Sequence, residues 1–152
     1  MKISRDTPLF ELTLRRYEKP DSLDTRELVR KFCLSLGLLQ PGDSRDIIVD
    51  ILYAFLLAKQ QKQELTCEQI RDNVVKLRKE NNLELNGIAT SNVRRQIKRM
   101  RELLLVEKRK NYYRITEFAQ LSDIYKQKLE HLLLPSILAR LNEYFLTLDK
   151  KF

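Results

Sequence analysis

Glycine and proline are scarce in this chain of 152 residues, which has three of the first and four of the second. Few breakers leave few turns, so long elements and a mostly helical protein are expected. Three glycines form neither a G-x-x-x-x-G-K phosphate loop nor a G-x-G-x-x-G fingerprint, so a cradle of backbone amides is not expected. Histidine occurs once, as His131 in EHLLLP, with no cysteine–histidine spacing around it, so no metal site is expected. Cys33 and Cys67 lie far apart in amphipathic patterns and outside any C-x-x-C arrangement, and read as buried, reduced thiols. The acids are scattered over caps and exposed faces. No catalytic, cofactor or metal residues emerge, and the chain does not read as an enzyme. No run approaches the roughly 18 apolar residues of a membrane span. MKISRDTPLF holds no hydrophobic signal core, which points to a cytoplasmic protein. Hydrophobic residues make up 43%, enough for the core of one domain, with or without a dimerisation appendage.

What is abundant is positive charge in one place. Between Ser91 and Thr116 stand nine cations: Arg94, Arg95, Lys98, Arg99, Arg101, Lys108, Arg109, Lys110 and Arg114. Only Glu102 and Glu107 oppose them, so this stretch carries +7 of the chain's +8. A concentrated field of one sign is the footprint of a nucleic-acid contact. Val93, Ile97, Met100 and Leu104 recur at i, i+4, i+7 and i+11 and line one side of a helix that Thr90 or Ser91 can cap. At about 100° per residue the opposite side is centred on Ser91, Arg95, Lys98 and Glu102. Asn92 and Arg99 flank it on one edge, Arg94 and Arg101 on the other. A merely solvated helix face would mix signs; here Arg94–Lys98 and Arg95–Arg99 repel at i,i+4. A surface role at a membrane would want larger apolar anchors than this ordinary core stripe, and is not expected.

The rest of the chain frames that stretch. Phe10, Leu12 and Leu14 alternate with Glu11, Thr13 and Arg15, as in a short strand or extended arm that either straps the core or reaches a partner. Asp24 with Glu27 has the form of a capping box, and Leu28, Val29, Phe32, Leu36 and Leu39 give the following helix its apolar face. After Pro41-Gly42 a helix begins near Asp43 or Ser44, with Ile47, Ile48, Ile51, Leu52, Phe55, Leu56 and Leu57 as a wide core stripe. Thr66 and Gln69 form a second capping box ahead of Ile70, Val74 and Leu77. A connector over 83–88 holds Gly87, expected in a left-handed conformation. Leu105–Lys108 and Tyr112–Ile115 read as strands around a cationic tip, Arg109-Lys110-Asn111, with Asn111 suited to a left-handed position. Thr116 is placed to cap a helix with Phe118, Leu121, Tyr125, Leu129 and Leu132 buried. Pro135 kinks that helix or opens another, in which Ile137, Leu138, Leu141, Tyr144, Phe145 and Leu148 make a neutral apolar stripe.

The chain thus divides into an arm and helix (1–43), a helix–helix–turn–helix–hairpin unit (44–116) and C-terminal helices (117–152). The order of elements, with LLLVEKRKNYYRITEFA, resembles the winged helix-turn-helix domain, and its hairpin is similar to the wings of many prokaryotic regulators. The resemblance covers about half of the chain and implies a mainly α fold with a small β-hairpin wing. It implies duplex DNA binding in transcriptional regulation, with the helix over 91–104 in the major groove and the wing over 105–116 on the adjacent backbone. The expected contacts are Ser91, Asn92, Arg94, Arg95, Lys98 and Arg99 from the helix. From the wing they are Lys108, Arg109, Lys110 and Arg114, with one of Tyr112 and Tyr113 buried and the other, Tyr112 in the contact set, free to bond the backbone. Two alternatives stay open: a winged-helix protein–protein module whose basic face meets an acidic partner, and RNA binding. The C-terminal stripe suits a homodimer and self-packing equally.

Overall fold

Asp24 opens the first helix, α1 (Thr25–Ser35), by accepting a hydrogen bond from the Glu27 amide at 2.8 Å. The computed structural model describes residues 4–152. It is mainly helical, with α2 (Ile47–Gln60), α3 (Cys67–Glu80) and α4 (Thr90–Glu102) after α1, and a small three-stranded antiparallel sheet. The strands are β1 (Leu65–Thr66), β2 (Val106–Arg109) and β3 (Tyr112–Ile115), in the order β1-β3-β2. Val106 pairs with Ile115 and Arg109 with Tyr112 in the β2–β3 hairpin, and Leu65 pairs with Tyr113.

α2 is the centre. Ile47, Ile48, Val49, Ile51, Leu52, Ala54, Phe55 and Ala58 are all buried, so it is covered on nearly every side, as a helix apolar all round must be. Around it pack Val29 and Cys33 of α1, Ile70 and Val74 of α3, Val93, Ile97 and Met100 of α4, and Val106, Tyr113 and Ile115 of the hairpin. Burial pushes the Cys33 thiol up to about 12, which keeps it protonated and unreactive. The capping box of Thr66 and Gln69 starts α3 with both reciprocal bonds in place.

One residue of α2 breaks the apolar pattern. Asp50 is 1% exposed and bonds Arg78 of α3, itself 4% exposed, at 2.6 Å. Arg26 of α1 reaches both Asp50 oxygens at 3.2 and 3.1 Å and Asp46 at 3.1 Å. Arg78 also bonds Asp46 at 3.0 Å, and its Nε donates to the Glu84 carbonyl in the α3–α4 connector. Two cations and two anions therefore join three helices and the connector in a mutually neutral cluster.

Several expectations are corrected. No strand forms over 10–15. The extended arm straps the core, one of the two readings of it: the Arg15 amide bonds the Ser35 carbonyl at 2.9 Å, and its guanidinium bonds the carbonyls of Leu34 and Leu39. Leu14 faces outward at 49% exposure while Thr13, Arg15 and Tyr17 face inward, because the polar groups of Arg15, not Leu14, find partners at the end of α1. α2 begins at Ile47 rather than Asp43 or Ser44, since Asp43 bonds the Arg45 amide in a preceding turn. Asp46 sits at its cap position with no capping bond, its carboxylate being held by the two arginines. Ala89, not Thr90 or Ser91, precedes α4, with no side-chain cap. At the hairpin tip Lys110, not Asn111, takes the positive φ of +56°, the demand of a two-residue loop at its first position. Thr116 caps nothing; its hydroxyl donates to the Leu104 carbonyl at 2.7 Å. Leu28, Leu57, Tyr125 and Leu132 are exposed.

After a 3-10 turn (Thr116–Phe118), the C-terminal segment anchors through Ile124 of α5 (Leu121–Ile124). It runs on through π-helical turns over Tyr125–Leu133 into α6 (Leu134–Lys151), with Pro135 near the junction. No residue of α6 is buried.

The cluster generates two expectations. Asp50→Ala leaves Arg78 and Arg26 short of a partner in the interior and should lower unfolding free energy by about 3–5 kcal/mol, read by urea denaturation. For Asp46, burial alone would raise the carboxyl, but hydrogen bonds from Arg26 and Arg78, then their charges, hold it below the ordinary range. Its contribution is complete above the unfolded value of about 4 and is lost as pH falls through the lower folded value. Asp46→Asn should therefore be less stable at pH 7 and show a shallower loss of urea midpoint between pH 4 and pH 2.

Candidate nucleic-acid interface

α4 buries Val93, Ile97 and Met100 completely against the core, which turns its other side to solvent. The position of the helix is set from both ends. Gly87 lies at φ +85°, and a Cβ there would come within 3.0 Å of the Asn92 amide nitrogen. That nitrogen donates to the Gly87 carbonyl at 2.7 Å. Gln96 donates to the Asn92 oxygen at 3.2 Å, and Arg99 donates to the Gln96 oxygen at 2.8 Å. Arg99 also donates to the carbonyl of Gly37, at the end of α1, at 3.0 Å. Gly37 sits at φ +71° with Thr13 of the strap pressed against it, closer than any Cβ would allow. A ladder of side chains at 92, 96 and 99 thus runs down one edge of α4 and ties it to the turns at both ends. Beside the ladder lies a cleft of about 440 Å³ bordered by Arg45, Asn86 and Arg95.

The helix ends where Leu104 takes φ +62°, and Leu105 N–H bonds the Met100 carbonyl at 3.1 Å. α1, α2 and α3 close the same way, through Gly37, Lys62 and Asn82. With so few glycines, three of these four left-handed positions fall to bulkier residues.

The residues singled out from the sequence separate into two groups. Ser91, Arg94, Arg95 and Lys98 are exposed on α4, and Arg101 joins them one turn on. Among the described residues, none of the four cations Arg94, Arg95, Lys98 and Arg101 has an ion pair. Asn92 and Arg99 belong instead to the ladder. Arg101 was counted as a charge but not placed in the contact set; its spacing of three from Lys98 and seven from Arg94 is the signal that puts it on this stripe.

The hairpin divides likewise. Arg114 is drawn in: it bonds Glu107 at 2.6 Å and lies 4.8 Å from the centre of the Phe118 ring. Burial would raise the Glu107 carboxyl, but the Glu117 amide and then Arg114 hold it below the ordinary range, so it stays an anion for Arg114. Arg109 bonds Glu64, just before β1, at 3.0 Å. Tyr113 is buried at 4% and Tyr112 is 44% exposed, so the two tyrosines split. Lys108 lies 5.8 Å from the Tyr113 ring centre, and Lys110 projects from the tip. The cations left facing solvent are those of the outer α4 stripe with Lys108 and Lys110.

No protein-family model, curated protein or solved structure matches the chain.

The two groups of arginines predict two phenotypes. Arg99→Ala removes hydrogen bonds from a charged group to the Gly37 carbonyl and Gln96, and should cost about 1.5–3 kcal/mol of stability. Arg95→Ala touches no partner and should stay within about 0.5 kcal/mol of the parent. Parallel urea titrations of the two variants check this; equal losses would refute the ladder.

Proposed function

We propose that the chain binds duplex DNA as a winged helix-turn-helix module in transcriptional regulation. In this reading α4 is the recognition helix and the β2–β3 hairpin is the wing. One observation carries it: the outer stripe of α4 holds Arg94, Arg95, Lys98 and Arg101 with no ion pair among the described residues, while neighbouring Arg99, Arg109 and Arg114 are all engaged. Unpaired like charges on one helix face cost stability unless a polyanion neutralises them. An α-helix fits the major groove, where a guanidinium can bond guanine O6 and N7 together. Lys108 and Lys110 on the wing would meet phosphates, with the exposed Tyr112 hydroxyl as a further donor. Arg45, on the rim of the cleft beside α4, extends the same field. Asn92, Arg99 and Arg114 act one step back by holding the helix and the wing in place.

The test is fluorescence anisotropy with random duplex DNA across a salt series. Micromolar binding is expected at low salt, with log K falling against log salt at a slope of about −4 to −5, the value for roughly five neutralised phosphates. The double variant Arg95→Glu, Lys98→Glu should bind at least tenfold more weakly with an unchanged circular dichroism spectrum. Parent-like binding by the folded double variant would remove α4 from the groove. Structured RNA that outcompetes duplex DNA would move the reading to RNA, and no binding to either at low salt would move it to an acidic protein.

A further inference from the structure

α6 leaves the body of the molecule and presents a long apolar side to solvent. Leu138, Leu141, Tyr144, Phe145, Leu148 and Phe152 are between 48% and 101% exposed. Scattered exposed leucines need no explanation, but a continuous patch beyond a few hundred Å² on one element does.

The spacing says what kind of surface it is. Leu134, Leu138, Leu141, Phe145, Leu148 and Phe152 follow one another at intervals of four, three, four, three and four. This is the four-three spacing of a coiled-coil seam, with every seam position apolar. Such a pattern is complementary to itself. The whole segment 117–152 has five cations and five anions, so the face offers no net charge to select a partner of opposite sign. At roughly 150–250 Å² per buried ring, Tyr144, Phe145 and Phe152 alone bring about 500 Å² per copy, and the leucines bring this to the approximately 800 Å² per partner of a stable interface.

We infer that α6 pairs with α6 of a second copy of this chain, and that the two helices run antiparallel. The direction follows from volume. In a parallel pair Phe145 would face Phe145 and Phe152 would face Phe152, leaving crowded layers between thin leucine layers. The antiparallel pair sets Leu141 against Phe145, Leu134 against Phe152 and Leu138 against Leu148 of the second copy, which spreads large and small evenly. It also opposes the two helix dipoles and keeps Lys150 and Lys151 of the two chains at opposite ends. At the seam's edges Asp149 falls beside Pro135 and Lys151 beside Ile137 of the second copy, so no like charges meet.

The pairing stands without the DNA reading, but one consequence rests on it. Antiparallel α6 helices of 18 residues are about 27 Å long and hold the two bodies at opposite ends. The π-helical turns over Tyr125–Leu133 add to that length at each end, so one dimer would present two α4 helices to the duplex at a spacing greater than α6 is long.

Sedimentation equilibrium of the full chain without DNA tests the pairing. The expected mass is twice the chain's 18.2 kDa, falling to 18.2 kDa in the double variant Leu141→Asp, Phe145→Asp, whose body should keep the parent's cooperative thermal transition. A parent that remains a monomer at high micromolar concentration, a trimer or tetramer, or a dimer that survives the double substitution would overturn it. Direction is read by oxidation of single-cysteine variants, since Cys33 and Cys67 are buried. Leu138→Cys mixed with Leu148→Cys should cross-link, whereas either variant alone should not; efficient self-linking of Leu138→Cys would overturn the antiparallel arrangement. If DNA binding fails while the dimer persists, the groove assignment falls and the pairing remains.

Discussion

The position of everything outward depends on the buried cluster of Arg26, Asp46, Asp50 and Arg78. Four charges with little water gain from one another only at good geometry, so they tolerate a narrow range of helix placements where leucines would tolerate many. α1 supplies Arg26, the start of α2 supplies both aspartates, and α3 supplies Arg78. Arg78 then reaches the Glu84 carbonyl, so the same guanidinium that locks α3 to α2 also fixes how the chain leaves α3. From there Gly87 and Asn92 carry the constraint into α4. The placement of the exposed stripe is thus linked, through the connector, to the ion cluster that joins α1, α2 and α3.

A second regularity is the division of the cations by occupation. Arg15, Arg26, Arg78, Arg99 and Arg114 all bond carbonyls or carboxylates of the protein. Each has a planar fork that can satisfy two acceptors at once, which suits arginine to tying turns and helix ends together. Arg94, Arg95 and Arg101 face solvent as Lys98 and Lys110 do, so what separates the two groups is position and not residue type. High positive charge over 91–116 therefore overstates the free field, because two of its nine cations point inward and a third is bonded to Glu64. Four of the six that remain free lie on the outer stripe of α4, and the other two, Lys108 and Lys110, on the hairpin.

Some local signals in the sequence were readable, whereas the caps expected at Thr90 or Ser91 and at Thr116 and the left-handed Asn111 were not borne out. The caps at Asp24 and Thr66, the left-handed Gly87 and the buried stripe of Val93, Ile97 and Met100 each depend on residues within one or two turns. β1 was missed because two residues carry no periodicity; it exists only through its pairing with Tyr112 and Tyr113 nearly 50 positions away. Asp50 amid isoleucines has no meaning until Arg78 is brought beside it. The alternation of Phe10, Leu12 and Leu14 breaks at Leu14, which is exposed, because the guanidinium of Arg15 has carbonyls to reach at the end of α1. Asn92 and Arg99 were placed together on one edge of the helix, and that edge adjoins the body. Periodicity gave the edge; only the fold could say which edges are free.

The C-terminal helix raises an energetic question that the body does not. Most helical stability in proteins comes from tertiary packing of an apolar face rather than from propensity. α6 has no buried residue to supply such packing. In the proposed dimer its formation and its pairing would be one equilibrium, the apolar area gained offsetting the entropy lost as both tails order. Such coupling would tie the exposed patch to concentration, since dilution would both separate the copies and loosen the helices. The bodies feel none of this, because the seam begins near Leu134 and the core ends at Ile124, with the π-helical turns between them. π-Helical turns are rare, so this span is where the segment departs from ordinary helix geometry between the core and the exposed stripe.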